Sequence, residues 1–251
     1  MKRYALDGNK FPREIVLLKS TGCHWSRCTF CDYHADKAEN DQEAASFNRK
    51  ILQRVTGAAG ALMVIDSAAF SELPQETISD IFSVCKTKKI KTVILEQHWN
   101  FRGAFPELRK LFAEIGTECK FLIGLESFDF EFREKVLNKG MTDDPSPQEI
   151  SAHFEWCNLL AGIKGQTLEM IARDIRQGLE VFQRIAVNVF IPNSTPAERD
   201  GELTDAFYKC DLFREIANNP RVDILDALDA RAPDRLGGIG NEDNGIEEAV
   251  C

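Results

Sequence analysis

Three cysteines fall within nine positions of the segment GCHWSRCTFCDYH: Cys23, Cys28 and Cys31. Soft thiolates gathered on one short loop suit an iron–sulfur cluster or a zinc ion. A four-iron cluster held by three of them keeps one iron open to another molecule, as a catalytic zinc site keeps an open position. His24 and His34 flank the cysteines. A three-cysteine, one-histidine zinc site stabilising a non-catalytic binding module is therefore the reading from a different class. The other cysteines share no ligand spacing, and Cys85, Cys119 and Cys157 are expected to be small buried hydrophobes.

The cysteine loop follows a short apolar run, EIVLLKST (14–21). Further apolar runs at 61–70, 92–100, 120–127, 158–167 and 186–193 are expected strands. Between them, 41–57 (with Asp41 as N-cap), 73–89, 105–116, 128–140, 146–156 and 168–185 are expected helices, several with Pro near the start or Gly at the end. Strands apolar on both faces that alternate with helices imply a parallel sheet. Six such units predict an α/β fold, a partial (β/α)6 TIM-like barrel in a single domain over 14–230, with an N-terminal extension over 1–13 and a loose tail over 231–251. A doubly wound open sheet is the rival. Both folds collect their sites at the carboxyl ends of the strands. Asp66, Ser67, Glu96, His98, Glu126, Lys164 and Asn193 stand there. Strand alternation sends Glu96 and His98 to one face, with His98 as proton donor and Glu96 as hydrogen-bond acceptor.

The chain has 251 residues and a net charge of −9, from 40 acidic against 31 basic residues. That balance argues against a long nucleic-acid partner, which wants a basic stripe, but leaves room for a small phosphorylated substrate. No apolar run approaches the roughly 20 residues that cross a bilayer. The opening MKRYALDGNKFPR lacks the apolar stretch of a signal peptide. A cytoplasmic protein without a membrane partner is expected.

The cysteine loop after the first strand of a partial barrel, its last two cysteines spaced C-x2-C with Phe30 just before Cys31, resembles the radical S-adenosylmethionine superfamily. IGLESFDFEFREKVLNKGM is similar to that superfamily's fourth-strand motif and the helix behind it, VIDSAAFSELP to its second-strand turn, and GIKGQT to its fifth-strand turn. The likeness runs from residue 15 to about residue 200. Two features depart from it. The first cysteine gap holds four residues where three is usual, so one residue must bulge from the loop. Asp66-Ser67-Ala68 stands where Gly-Gly-Glu is common.

The resemblance implies that Cys23, Cys28 and Cys31 hold a 4Fe–4S cluster whose open iron chelates S-adenosylmethionine. A one-electron reductant such as flavodoxin or ferredoxin would release a 5′-deoxyadenosyl radical. It implies that Phe30 or Tyr33 packs on the adenine, that Asp66 and Ser67 meet the methionine amine, and that Glu126 contacts the ribose or orients polar groups. Arg133 or Lys139 would neutralise the methionine carboxylate. Asn188 faces the remaining cofactor and substrate space with Glu96, His98 and Trp99. The most similar compact members act on deazaguanine-related molecules. They imply a small-molecule substrate, a nucleoside or nucleotide, from which a lyase releases the base queuine by N-glycosidic cleavage. Glu96, Glu126 or Asp36 would then meet the base, and Lys164 or Arg27 a 5′-phosphate. Another small metabolite or a peptide is the alternative substrate.

Overall fold

Strand β2 (Arg13–Leu18) is buried at all six positions, as a strand covered on both faces must be. It sits inside one eight-stranded sheet in a computed structural model that describes residues 2–141 and 143–234. The strands follow chain order: β1 (Tyr4–Asp7), β2, β3 (Ala61–Asp66), β4 (Thr92–Gln97), β5 (Glu118–Glu126), β6 (Trp156–Ala161), β7 (Arg184–Val189) and β8 (Val222–Leu225). The pairings from β2 to β8 are parallel, and β1 pairs antiparallel with β2. This is the expected partial barrel, extended by one strand at each end. β1 lies inside the segment expected as an extension. Both added strands are four residues long and carry an aspartate, YALD and VDIL, which hides them in an apolarity profile.

Helices α1 (Asp41–Leu52), α2 (Gln75–Thr87), α3 (Phe105–Glu114), α4 (Pro147–Ser151), α5 (Leu168–Val181), α6 (Gly201–Lys209) and α7 (Asp211–Ile216) cover the outer face. Asn40 rather than Asp41 caps α1, its side chain accepting from Glu43 N at 3.0 Å. Helix α4 is half its expected length. Ser146 and Glu149 close a capping box at its start, but the chain must be extended again by Trp156 to enter β6. The expected helix over 128–140 is a π-helical turn, Glu131–Val136, followed by left-handed Asn138 (φ 52°) and Gly140 (φ 77°). π turns recur at functional sites, and this one delivers the segment Asn138–Gly140 to the cysteine loop.

The main core lies between sheet and helices, with Phe105 stacked on Phe121 at 3.8 Å between ring centroids. Cys85, Cys119 and Cys157 are buried there, as expected. A smaller cluster that includes Ile15, Met63, Ile94, Leu122 and Trp156 lies on the concave side of the sheet. Among the described residues no ladder joins β8 to β1. The two ends of the sheet are instead tied by side chains. Arg13 Nη2 donates to Asp223 at 3.0 Å, and Lys10 Nζ donates to Val222 O at 2.6 Å and to Asp234 at 2.9 Å. Residues 235–251 of the expected loose tail lie outside the described residues. No helix among the described residues is long and apolar enough to cross a membrane.

Candidate active site

The loop carrying the three cysteines leaves the carboxyl end of β2 and is fastened from three sides. On the β3 side, the Glu72 carboxylate accepts from His24 N at 2.6 Å and stands 3.2 Å from His24 Nδ1. On the β5 side, Trp25 Nε1 donates to Asn138 O at 2.6 Å, Asn138 Nδ2 to Arg27 O at 2.9 Å and Thr29 N to Leu137 O at 3.0 Å. On the β7 side, Asn193 Nδ2 donates to Phe30 O at 2.7 Å, and Asp32 accepts from Ser194 N and Oγ, both at 2.9 Å. The fourth residue of the first cysteine gap is absorbed by left-handed Ser26 (φ 49°), whose hydroxyl donates to Cys23 O. The bulge expected from the long gap is therefore a defined turn.

All three thiols face a cavity of about 530 Å³ that runs through the concave side of the sheet from strand ends to strand starts. Burial pushes the Cys28 thiol up to about 12 and raises Cys31 as well. A bound metal would favour the thiolate forms that burial disfavours, and three cysteines on one loop fit a cluster with an open iron. Cys23, His24 and Glu72 also bring ligand atoms within 4.8 Å of one another, with His24 Nδ1 3.2 Å from Glu72 Oε2.

Opposite the cysteines, β5 ends in a bulge at Gly124–Glu126, and Glu126 is left-handed at φ 69°. A non-glycine residue held there stores strain of about 1–3 kcal/mol, a mark of sites whose side chain must be aimed. Glu126 Oε1 accepts from Lys139 Nζ at 2.9 Å. A Cβ at Gly124 would stand 2.9 Å from that carboxylate oxygen and 3.0 Å from the ammonium, so a side chain there would push the pair out of its present position. Burial alone would lower the Lys139 ammonium, but Glu126 together with the Cys28 and Cys31 sulfurs more than offsets this and holds it above its ordinary value. Burial, with Glu126 nearby, raises Glu96 to about 7 despite the opposing Lys139 ammonium. Burial also raises Asp66 well above the carboxylate range, and Asp66 Oδ2 has no hydrogen-bond partner among the described residues.

Of the residues singled out in the sequence, Phe30, Tyr33, Asp66 and Ser67 line this cavity. So do Glu96, His98, Glu126, Lys139 and Asn188. The Ser67 hydroxyl is spent on Ser20, accepting from its backbone N at 3.1 Å. Burial, then Lys139, lower His98 to about 4, so its ring is neutral at pH 7. Its Nδ1 accepts from Asn100 N at 3.3 Å, which leaves Nε2–H to donate to Lys139 O at 3.2 Å. Both nitrogens are committed, and the expected proton-donor role has no free N–H.

Arg133 does not reach the cavity. Its buried guanidinium turns to Glu134 (2.8 Å) and Asp144 (3.5 Å), and Glu134 in turn accepts from Gly140 N at 2.9 Å. Trp99 is buried, with its Nε1 3.3 Å from Asp143, and packs under Arg102. Lys164 pairs with Glu198 on the surface and Asp36 with Arg3 and Lys19. Residues not foreseen are Arg13, Asn158, Arg184 and Asp223, which line the deep part of the cavity. Asn158 had one visible signal, a carboxamide inside the apolar run CNLLA. Arg13 and Arg184 open their strands and look like ordinary boundary charges.

No family model matches the chain. Among curated proteins, MJ0550 of Methanocaldococcus jannaschii, an uncharacterized protein, is 26% identical over 146 residues, 51% of this chain and 39% of that protein. The chain thus matches well under half the length of that relative. Methylornithine synthase (PylB) shares the fold, with a TM-score of 0.61 and 17% identity over 94% of this chain and 77% of that one. Queuine lyase from Clostridium spiroforme, solved bound to SAM and queuine, superposes with a TM-score of 0.84 and is 38% identical over 90% of this chain and 95% of that one. Identity of that degree over nearly the whole length of both chains, on a partial barrel with three cysteines at its mouth, places this protein in the queuine lyase family of the radical S-adenosylmethionine superfamily.

Proposed function

We propose that this chain releases queuine from a small deazaguanine nucleoside or nucleotide by N-glycosidic cleavage, using a 4Fe–4S cluster and S-adenosylmethionine. The observation that carries the reading is the convergence of three loop cysteines with the Glu126–Lys139 pair on one cavity, in a chain 38% identical to an enzyme that binds SAM and queuine. Cys23, Cys28 and Cys31 would hold the cluster, which with S-adenosylmethionine supplies on one-electron reduction a 5′-deoxyadenosyl radical able to take a hydrogen atom from the substrate ribose. Flavodoxin or ferredoxin is the kind of reductant this requires.

The chain's own residues position and shield. Lys139, already oriented by Glu126, meets the methionine carboxylate, and Asp66, at the end of β3, faces the methionine amine. Phe30 and Tyr33, which line the cavity, would pack on the adenine, with Asn188 lining the same space from β7. The strained Glu126 presents its second oxygen to ribose hydroxyls. Glu96, poised near neutrality, exchanges hydrogen bonds with the substrate in either protonation state. His98 and Arg133 are positioning residues. One holds the Lys139 carbonyl, and the other holds Glu134 against Gly140. Fixing the substrate matters because so reactive a radical takes the nearest hydrogen.

Reduced anaerobic enzyme incubated with S-adenosylmethionine and queuosine or its 5′-phosphate is expected to yield free queuine together with 5′-deoxyadenosine. Deoxyadenosine without queuine would move the substrate to another small metabolite or a peptide.

A further inference from the structure

Resting on the cofactor role proposed above for Glu126, we propose that Asp174 is a positioning residue of the active site, its buried carboxylate clamping from the helix layer the strained turn that aims Glu126 into the cavity. Ser127 N donates to Leu125 O at 2.9 Å, which closes a tight turn around Glu126. With φ at 69°, this is the positive-φ form of the γ-turn, which is rare and strained. A residue persists in such a turn only where its surroundings over-determine it. Here one carboxylate supplies the anchor. The Ser127 hydroxyl donates to Asp174 Oδ2 at 2.6 Å, and Phe128 N donates to Asp174 Oδ1 at 3.1 Å. The two residues that follow Glu126 are thus gripped by a side chain 47 and 46 positions away in sequence. The Ser127 hydroxyl also accepts from Asp129 N at 3.1 Å, and Ser127 O accepts from Arg133 Nη1 at 3.4 Å. The π-helical turn that brings Lys139 to Glu126 therefore starts from the same anchor.

Packing does not account for Asp174. It lies on the buried stripe of α5 with Ile171, Ile175 and Gly178, and is 1% exposed. An apolar side chain is what such a stripe calls for, and a carboxyl placed there carries a desolvation cost. Burial raises Asp174 above its ordinary value, and the bonds from Ser127 and Phe128 oppose the rise. Neighbouring Arg173 donates to Asp129 at 2.9 Å, so adjacent residues of α5 hold the whole segment after Glu126. Glu126 and Lys139 line the cavity, whereas Ser127 and Asp174 do not. Asp174 therefore touches no ligand. It acts through Glu126, and by way of Glu126 on the Lys139 ammonium that Glu126 orients. Released from the clamp, Glu126 relaxes toward a negative φ, which turns its carboxylate away and frees Lys139.

The test measures S-adenosylmethionine affinity, per cluster, in cluster-loaded protein. Asp174→Ala removes both acceptors and is expected to weaken binding about tenfold or more. Asp174→Asn keeps an acceptor for Phe128 N and a polar partner for Ser127, and is expected to stay within about threefold of wild type. In a Glu126→Ala background, Asp174→Ala is expected to weaken binding by less than about twofold further, since the side chain it aims is gone. A merely structural residue would lower stability and leave the affinity of folded protein unchanged, or lower affinity equally in both backgrounds. Either result would overturn the clamp and leave the proposed function standing. If Asp174→Ala does not fold, Ser127→Ala decides, because it removes only the hydroxyl arm. Weakening of about threefold or more supports the clamp, and wild-type affinity overturns it. Wild-type protein that binds no S-adenosylmethionine would overturn the proposed function and the clamp's role with it.

Discussion

Lys139 Nζ stands 2.9 Å from Glu126 Oε1, with the two side chains 15% and 8% exposed. They lie thirteen positions apart in sequence and meet only because the π-helical turn folds back over the end of β5. Removing one partner of such a pair strands the other charge away from water, at a cost of about 3–5 kcal/mol. Lys139→Met is therefore expected to lower stability by about 3 kcal/mol in urea titration and to weaken S-adenosylmethionine binding at least tenfold. Unchanged affinity in a folded variant would remove Lys139 from the cofactor site.

Alanine at Cys23, Cys28 or Cys31 is expected to abolish the brown iron–sulfur absorbance and to drop iron from about four per chain to near zero. Cys85→Ala, buried in the main core, is expected to keep full iron content and to lose only stability, by about 1 kcal/mol. Iron, sulfide and zinc determinations on anaerobically purified variants read both. One tightly held zinc in the wild type would point to a mononuclear centre instead.

Glu96 holds its proton to about 7 in the folded chain, against 4.5 as the ordinary value. Between those limits the unfolded chain has released a proton that the folded chain still binds. Stability therefore falls as pH rises from about 4.5 to 7, by up to ~3 kcal/mol. Glu96→Gln removes that slope. The variant is expected to gain on the wild type steadily across this window, with no further gain above it. Urea titrations at several pH values, without added S-adenosylmethionine, measure the difference. Parallel pH profiles would show Glu96 ionised in the fold.

A Cβ at Gly140 would fall 2.4 Å from the Trp25 indole, at a backbone φ of 77° that side chains resist. Gly140→Ala is expected to unseat Trp25 and with it the cysteine loop, leaving a folded barrel that assembles less cluster. Reconstituted iron per chain should fall severalfold with little change in far-UV circular dichroism. Shrinking the indole in the double variant Trp25→Ala, Gly140→Ala is expected to restore part of the iron. Normal iron in Gly140→Ala would show that the loop does not depend on this contact.

The alternation of apolar strands and amphipathic helices was legible because burial on both faces of a parallel strand demands an unbroken apolar run, as in β2, β3 and β4. The three cysteines were legible because their spacing is local and their chemistry narrow. Strand ends pointed to Asp66, Glu96 and Glu126, since the fold class alone assigns the carboxyl edge to the site. What tertiary structure alone decided are the pairings across long stretches of chain. It selected Lys139 over Arg133 for the cavity, because a π turn rather than an α-helix changes which side chain faces inward. It spent both nitrogens of His98 on backbone groups. It joined Arg13 to Asp223 across 210 positions, a pairing that neither residue's neighbours in sequence announce. Local spacing determines what a residue offers. Which partner consumes that offer depends on desolvation and distance, which exist only once the sheet has curled.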